Sequence, residues 1–191
     1  MRFASFISSF TEPMILISLV MLLGGWHAGL RGLGWLYYVV YLLIVSIVLW
    51  IARIYAVKIL RTNWDISDRA KRVQSLIPLI GICIGFLLGL LLWDNQGLIR
   101  FGSMLLLWLV GFSLITLKTK ISGHMAVLTF SVGLLLYWYG LVALPLMALL
   151  PMVGWSRLVL KRHTMIEVIG GTLYSTIFLF LLSLVVNTFI V

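Results

Sequence analysis

Acidic residues are nearly missing from this chain: Asp and Glu number 5 against 14 Lys and Arg, and charged residues of both signs make up only 10% of it. An ordinary soluble domain, in which about a quarter of the residues are charged, is excluded. The single cysteine, Cys83, cannot form an intrachain disulfide and gives no indication of compartment. In the middle of an apolar run it reads as a small core hydrophobe. The 3 histidines, His27, His124 and His163, are too scattered for a zinc site. The chain also lacks internal repeats, low-complexity segments and any linker long enough to separate domains, so a single integral membrane domain over 1–191 is expected.

What is present is apolar, at 63% of the residues with a mean hydropathy of +1.18. A membrane span needs about 20 apolar residues. Runs at about 13 to 30, 34 to 57, 76 to 93, 98 to 117, 124 to 138, 140 to 155 and 165 to 190 predict an all-α polytopic transmembrane helical bundle of about seven spans. Six is the alternative, because the runs on either side of Tyr139-Gly140 abut without a charge. A very short turn and a kinked long helix both fit there, and Pro145 and Pro151 make the region irregular in either case. The run from Pro13 follows Arg2 as a secretory signal would. No small-x-small cleavage site follows it, and Gly24-Gly25-Trp26-His27 leads into a Trp- and Tyr-rich segment resembling an interfacial belt, so a retained span is expected.

The net charge of +9 is unevenly placed. Alternating seven spans puts Arg2, Lys58, Arg61, Arg69, Lys71, Arg72, Lys118, Lys120, Arg157, Lys161 and Arg162 on one face, and Arg31 and Arg100 beside Asp94 on the other. The segments 58–75, 118–124 and 156–163 are separated by pairs of spans, so all three are expected at one side. Ionisable side chains are costly in hydrocarbon, roughly 2.5–3.5 kcal/mol on insertion scales. Their gathering at span ends points to a shared polar task, and the chemistry points to phosphate.

In Lys120-Ile121-Ser122-Gly123-His124, Ser122 is a good helix N-cap, Gly123 permits close backbone approach, and the free amides of a helix N-terminus attract anions. His124 in the first turn is placed to give a proton to a leaving oxygen. A capped helix with an interfacial His is the plainer reading. In Ser156-Arg157-x5-His163-x3-Glu167, His163 and Glu167 are four residues apart and share a helix face. A carboxylate beside an imidazole fixes its tautomer and stabilises the charged ring, as a His nucleophile requires. Arg157 offers a planar fork for two phosphate oxygens. An ordinary His–Glu pair with Lys161 and Arg162 as membrane anchors is the alternative.

The longest polar stretch, residues 63–72, carries Asp65 with Arg69 and Asp68 with Arg72 at four-residue spacing. It reads as a short interfacial helix, and Arg69, Lys71 or Arg72 is a candidate further phosphate clamp. Mg²⁺ held by Asp65 and Asp68 is disfavoured, since each has an Arg four residues away and the chain has no second acidic cluster.

Together, Ser122-Gly123-His124 and Ser156-Arg157-x5-His163-x3-Glu167 resemble the second and third motifs of the type 2 phosphatidic acid phosphatase superfamily, integral-membrane lipid phosphatases. Those motifs read Pro-Ser-Gly-His and Ser-Arg-x5-His-x3-Asp. The resemblance covers about 50 residues, 118–171. It implies that His163 attacks phosphorus to form a phosphohistidine, supported by Glu167, while His124 protonates the leaving group. It further implies that Arg157, Ser122 and Gly123 hold the phosphoryl oxygens, with no metal ion or other cofactor. Three departures stand out. Ile121 replaces the family's Pro, Glu167 replaces its Asp, and the first motif, Lys-x6-Arg-Pro, is missing, with Lys120, Arg69 and Arg72 as the available substitutes.

The expected partners are a lipid phosphate or diphosphate substrate and membrane lipids, with no nucleic acid. Polyprenyl diphosphate is slightly favoured by the lack of a sizeable extramembrane domain, and phosphatidic acid-type substrates remain open. A non-hydrolytic lipid-phosphate binding or transport protein and a lipid phosphotransferase are the alternatives. The positive-inside rule places the basic face in the cytosol, whereas the resemblance implies an extracytoplasmic site.

Overall fold

Long apolar runs without backbone partners elsewhere must satisfy their own amides, and the chain does so as helices. The computed structural model describes residues 1–61 and 68–185, with Arg69, Val73 and Val185 described by backbone alone. Eight α-helices are found among them: α1 (Arg2–Phe10), α2 (Pro13–His27), α3 (Gly32–Ile59), α4 (Arg69–Leu90), α5 (Gln96–Lys118), α6 (Gly123–Tyr139), α7 (Leu149–Val159) and α8 (Met165–Val185). Short 3-10 stretches, Leu91–Trp93 and Gly140–Ala148, follow α4 and α6.

Among the described residues, six helical runs are long and apolar enough to cross a membrane: Arg2–His27, Gly32–Ile59, Ala70–Trp93, Gln96–Lys118, Gly123–Val159 and Met165–Leu184. This all-helical architecture fits a multi-pass membrane protein. Leu43, Ile44, Ile47 and Ile51 of α3 stand more than half exposed. Such an apolar face suits lipid contact and would be a liability in water.

The chain divides into two compact units, residues 1–20 with 120–185 and residues 21–119. In the second, α4 packs along α5 and also against α3. Gly102 of α5 lies against Leu87 and Leu90, and Gly89 of α4 lies against the Tyr41 hydroxyl. The buried Tyr38 donates to the Met21 carbonyl at 2.7 Å, and Tyr41 donates to the Phe86 carbonyl at 2.9 Å. Both rings meet Trp93. Asn95 caps α5 by accepting from Leu98 N–H at 3.0 Å, and its own amide donates to the Ala28 carbonyl at 3.1 Å.

The first unit holds α1, the start of α2, α6, α7 and α8. Its core is Ile7, Met125, Leu128, Val132, Val153 and Val168. Helix α6 is buried continuously from Met125 to Val132. Along a straight helix Met125 and Gly154 would stand about 43 Å apart at 1.5 Å per residue. Instead Met125 Cε lies 3.9 Å from where a Gly154 Cβ would be. The 37-residue run Gly123–Val159 therefore folds back on itself. The reversal starts where the two sequence runs abut, at Gly140, whose φ of +61° suits glycine. At Tyr139-Gly140 the chain forms neither a very short turn nor a kinked continuous helix: the 3-10 stretch Gly140–Ala148 separates α6 from α7. Its consequence is that the N-terminus of α6 and the C-terminus of α7 lie at one end of this unit.

Helix α1 is separated from α2 by Thr11 and Glu12. Thr11 donates its hydroxyl to the Ile7 carbonyl at 2.8 Å, and Glu12 accepts from Met14 N–H through its carboxylate, with Pro13 opening α2 where no amide is needed. Residues 63–67, and the Asp65–Arg69 pair with them, lie outside the described residues.

Candidate functional site

The chain enters α6 through Ile121, which is buried, and Ser122, which is fully buried and extended at φ −77°, ψ 111°. A residue of that conformation before a helix is an N-cap, and the Ser122 hydroxyl accepts from Met125 N–H at 3.5 Å. Gly123 and His124 form the first turn, both half-buried. The Ser122 amide donates to the main-chain carbonyl of Glu167 at 2.9 Å, so the first turns of α6 and α8 are joined through their backbones.

Two adjacent glycines allow this contact. A Cβ on Gly171 would stand 2.4 Å from the Ser122 carbonyl oxygen, and one on Gly170 would stand 2.9 Å from Ile121 Cγ2. Ile121 thus fills a groove on α8. One turn further on, Ser175 donates to the Ala126 carbonyl at 2.7 Å.

The start of α8 explains why position 167 carries Glu. Thr164 Oγ1 accepts from Glu167 N–H at 3.3 Å, while Glu167 Oε2 accepts from Thr164 N–H at 3.2 Å. This reciprocal pair is a capping box, which calls for the reach of Glu or Gln at its third position. The same Oε2 lies 2.7 Å from His163 Nδ1 and 3.4 Å from Lys120 Nζ. An ionised carboxylate only accepts, so Nδ1 carries the hydrogen of this contact, and in the neutral imidazole Nε2 is then the basic nitrogen. The His163 side chain is 6% exposed, against 14% for Glu167 and 33% for Lys120.

The five-residue spacer between Arg157 and His163 also has a structural basis. After α7, Arg162 N–H reaches the Arg157 carbonyl at 3.1 Å while Lys161 takes φ +52°. This is a Schellman ending with Lys161 in the left-handed position usual for glycine. It reverses the chain and delivers His163 one residue before the α8 cap.

Arg157 is 3% exposed, and its Nη1 donates to Ser8 Oγ of α1 at 2.7 Å. Next to it, Ser156 donates to the Ala4 carbonyl at 2.7 Å. The Ser156-Arg157 pair therefore reaches the N-terminal helix.

The structure brings Lys120, Ser122, Gly123 and His124 together with Arg157, His163 and Glu167 in one unit, at one end of it. Arg69 and Arg72 belong to the other unit, in the first turn of α4, where Asp68 caps the helix by accepting from Ala70 and Lys71 N–H at 2.9 and 3.4 Å. The Arg69 side chain lies outside the described atoms. Sequence reasoning passed over Thr164, although Thr-x-x-Glu is a capping signal, and over Gly170-Gly171, an unusual pair inside a helix. Ser8 carried no sequence signal at all. Compared with protein-family models, curated proteins and solved structures, the chain matches none of them.

Proposed function

We propose that this chain is an integral-membrane phosphatase of lipid phosphates or diphosphates, acting through a phosphohistidine at His163. The observation that carries this reading is the 2.7 Å contact of His163 Nδ1 with Glu167, in a segment joined by the backbone to the α6 N-terminus. A nucleophilic nitrogen and an anion-attracting helix end then belong to one frame. The resemblance to the type 2 phosphatidic acid phosphatase motifs supports the same reading, as a divergent branch of that superfamily.

In the proposed cycle His163 Nε2 attacks phosphorus as the bond to the leaving oxygen breaks, and His124 gives that oxygen its proton. Glu167 stabilises the positive charge that develops on the imidazole. Water then attacks the phosphohistidine, His124 takes its proton back, and inorganic phosphate departs with Nε2 restored. Arg157, Lys120 and the α6 amides hold the phosphoryl oxygens, stabilising a transition state whose charge spreads over them. No step calls for a metal ion or cofactor. Substrates with a phosphate head on an apolar tail, polyprenyl diphosphate or phosphatidic acid-type lipids, suit a site at the end of membrane helices.

A non-hydrolytic lipid-phosphate protein is favoured by one observation: Glu167 serves the α8 cap and Lys120 as well as His163, so a structural role alone accounts for its position. A phosphotransferase would share the His163 intermediate and yield a new phosphoester. The test is phosphate release from a panel of lipid phosphates in detergent with EDTA, comparing the intact protein with His163→Ala. Release that depends on His163 supports the phosphatase. Binding without release from any substrate moves the reading to the non-hydrolytic protein.

A further inference from the structure

Helix α1 is two-faced. Phe3, Phe6 and Phe10 form an exposed row, while Ala4 and Ile7 are buried and Ser8 is half-buried. The buried side is pinned to α7 twice within one turn, by Ser156 to the Ala4 carbonyl and by Arg157 to the Ser8 hydroxyl, both at 2.7 Å. Phe3 also meets Trp155 at 6.3 Å between ring centroids. Side chains of Trp155, Ser156 and Arg157, consecutive in sequence, thus all meet α1.

A buried guanidinium is costly unless hydrogen-bonded. At position 8 the acceptor is a hydroxyl, not a carboxylate. A hydroxyl accepts one of the five guanidinium N–H groups and fixes the plane of the fork without cancelling its charge. A carboxylate there would hold the head as firmly but neutralise it. An arginine that serves only the fold gains from the carboxylate, whereas one that receives an anion needs its charge kept.

We infer that Ser8 is a positioning residue that sets the Arg157 guanidinium toward the phosphoryl group, making the N-terminal helix a working part of the phosphate site. This rests on the reading of the site as a phosphate site. Ser8 acts through Arg157, by orienting a charge that it does not oppose.

The experiment measures binding of inorganic phosphate calorimetrically, together with thermal unfolding and lipid-phosphate hydrolysis, on the full chain in detergent with Ser8→Thr, Ser8→Ala and Ser8→Asp. Ser8→Thr keeps the hydroxyl and is expected to bind within about threefold of the parent. Ser8→Ala is expected to weaken binding about tenfold, the size of a lost hydrogen bond to a charged group. Ser8→Asp is expected to hold or raise the unfolding temperature while losing phosphate binding, a split that a purely structural contact would not give. Phosphate binding by Ser8→Asp equal to the parent's overturns the inference. If the parent hydrolyses lipid phosphate and all three variants match it, Ser8 alone is misassigned and the phosphatase reading stands. If the parent neither binds phosphate nor hydrolyses any lipid phosphate, the reading of the site fails and the inference fails with it.

Discussion

His163 and Glu167 meet through Nδ1 and Oε2 at 2.7 Å, and that oxygen also receives the Thr164 amide at 3.2 Å. One carboxylate therefore sets both the helix start and the imidazole tautomer. Glu167→Gln keeps an acceptor for the cap but loses the negative charge. Activity is expected to fall about 100-fold or more with little change in unfolding temperature. Equal losses of activity and stability would make Glu167 a structural residue only. Glu167→Asp, one methylene shorter, is expected to lose the reciprocal cap and to unfold at a lower temperature than Glu167→Gln.

His163→Ala is expected to abolish phosphate release while leaving the helical circular dichroism and unfolding temperature close to the parent's. Brief incubation with ³²P-labelled substrate, followed by alkaline denaturation, should trap label on the parent and none on the variant. Appreciable turnover by His163→Ala would remove the nucleophile assignment.

His124→Ala separates proton donation from phosphate binding. Loss of a general acid costs roughly 100-fold to 10,000-fold with poor leaving groups. Alkyl phosphates are expected to show that loss, and activated aryl phosphates, whose leaving oxygen needs little protonation, much less. The same loss for both classes would place His124 in binding and not in acid catalysis.

Gly171→Ala sets a new methyl 2.4 Å from the Ser122 carbonyl oxygen, a main-chain atom with little freedom to yield. A cost of about 1–3 kcal/mol is expected from such overpacking, with loss of activity through displacement of the α6 start. Gly170→Ala meets Ile121 Cγ2 at 2.9 Å and Cβ at 3.7 Å, side-chain and not main-chain atoms, and should cost less. Unfolding temperatures of the two variants in one detergent give the comparison.

Lys161 at φ +52° holds a conformation that disfavours any residue with a Cβ. Lys161→Gly is expected to stabilise the chain by about 1 kcal/mol, read as a higher unfolding temperature, with hydrolysis unchanged. A drop in stability would show that the lysine side chain contributes more than its backbone costs.

The parts of this architecture that were legible in the sequence are those set by local rules. The Ser122 cap follows from a small hydroxyl ahead of an apolar run and the His163–Glu167 pair from four-residue spacing, whereas two abutting uncharged runs at Tyr139-Gly140 fit a turn and a kinked helix equally. Arg157 to Ser8 spans 149 positions, and nothing in either neighbourhood announces the other. Helix α1 itself was hidden, because Arg2, Ser5, Ser8 and Ser9 break its apolar pattern and the first apolar run is read only from Pro13. The choice of Glu over Asp at position 167 has no reason in the His163 spacing alone. Thr164 three residues earlier supplies its reason.

Ser122 and Glu167 are joined main chain to main chain at 2.9 Å. A joint of that kind has no side chain to lose. Residues at 124 and 163, whose side chains cap neither helix, can be exchanged while the two segments keep their register, which makes this end of the protein a scaffold for redesign. Libraries at those two positions can search new chemistry on this frame, provided Ser122, Glu167 and Gly171 are left alone.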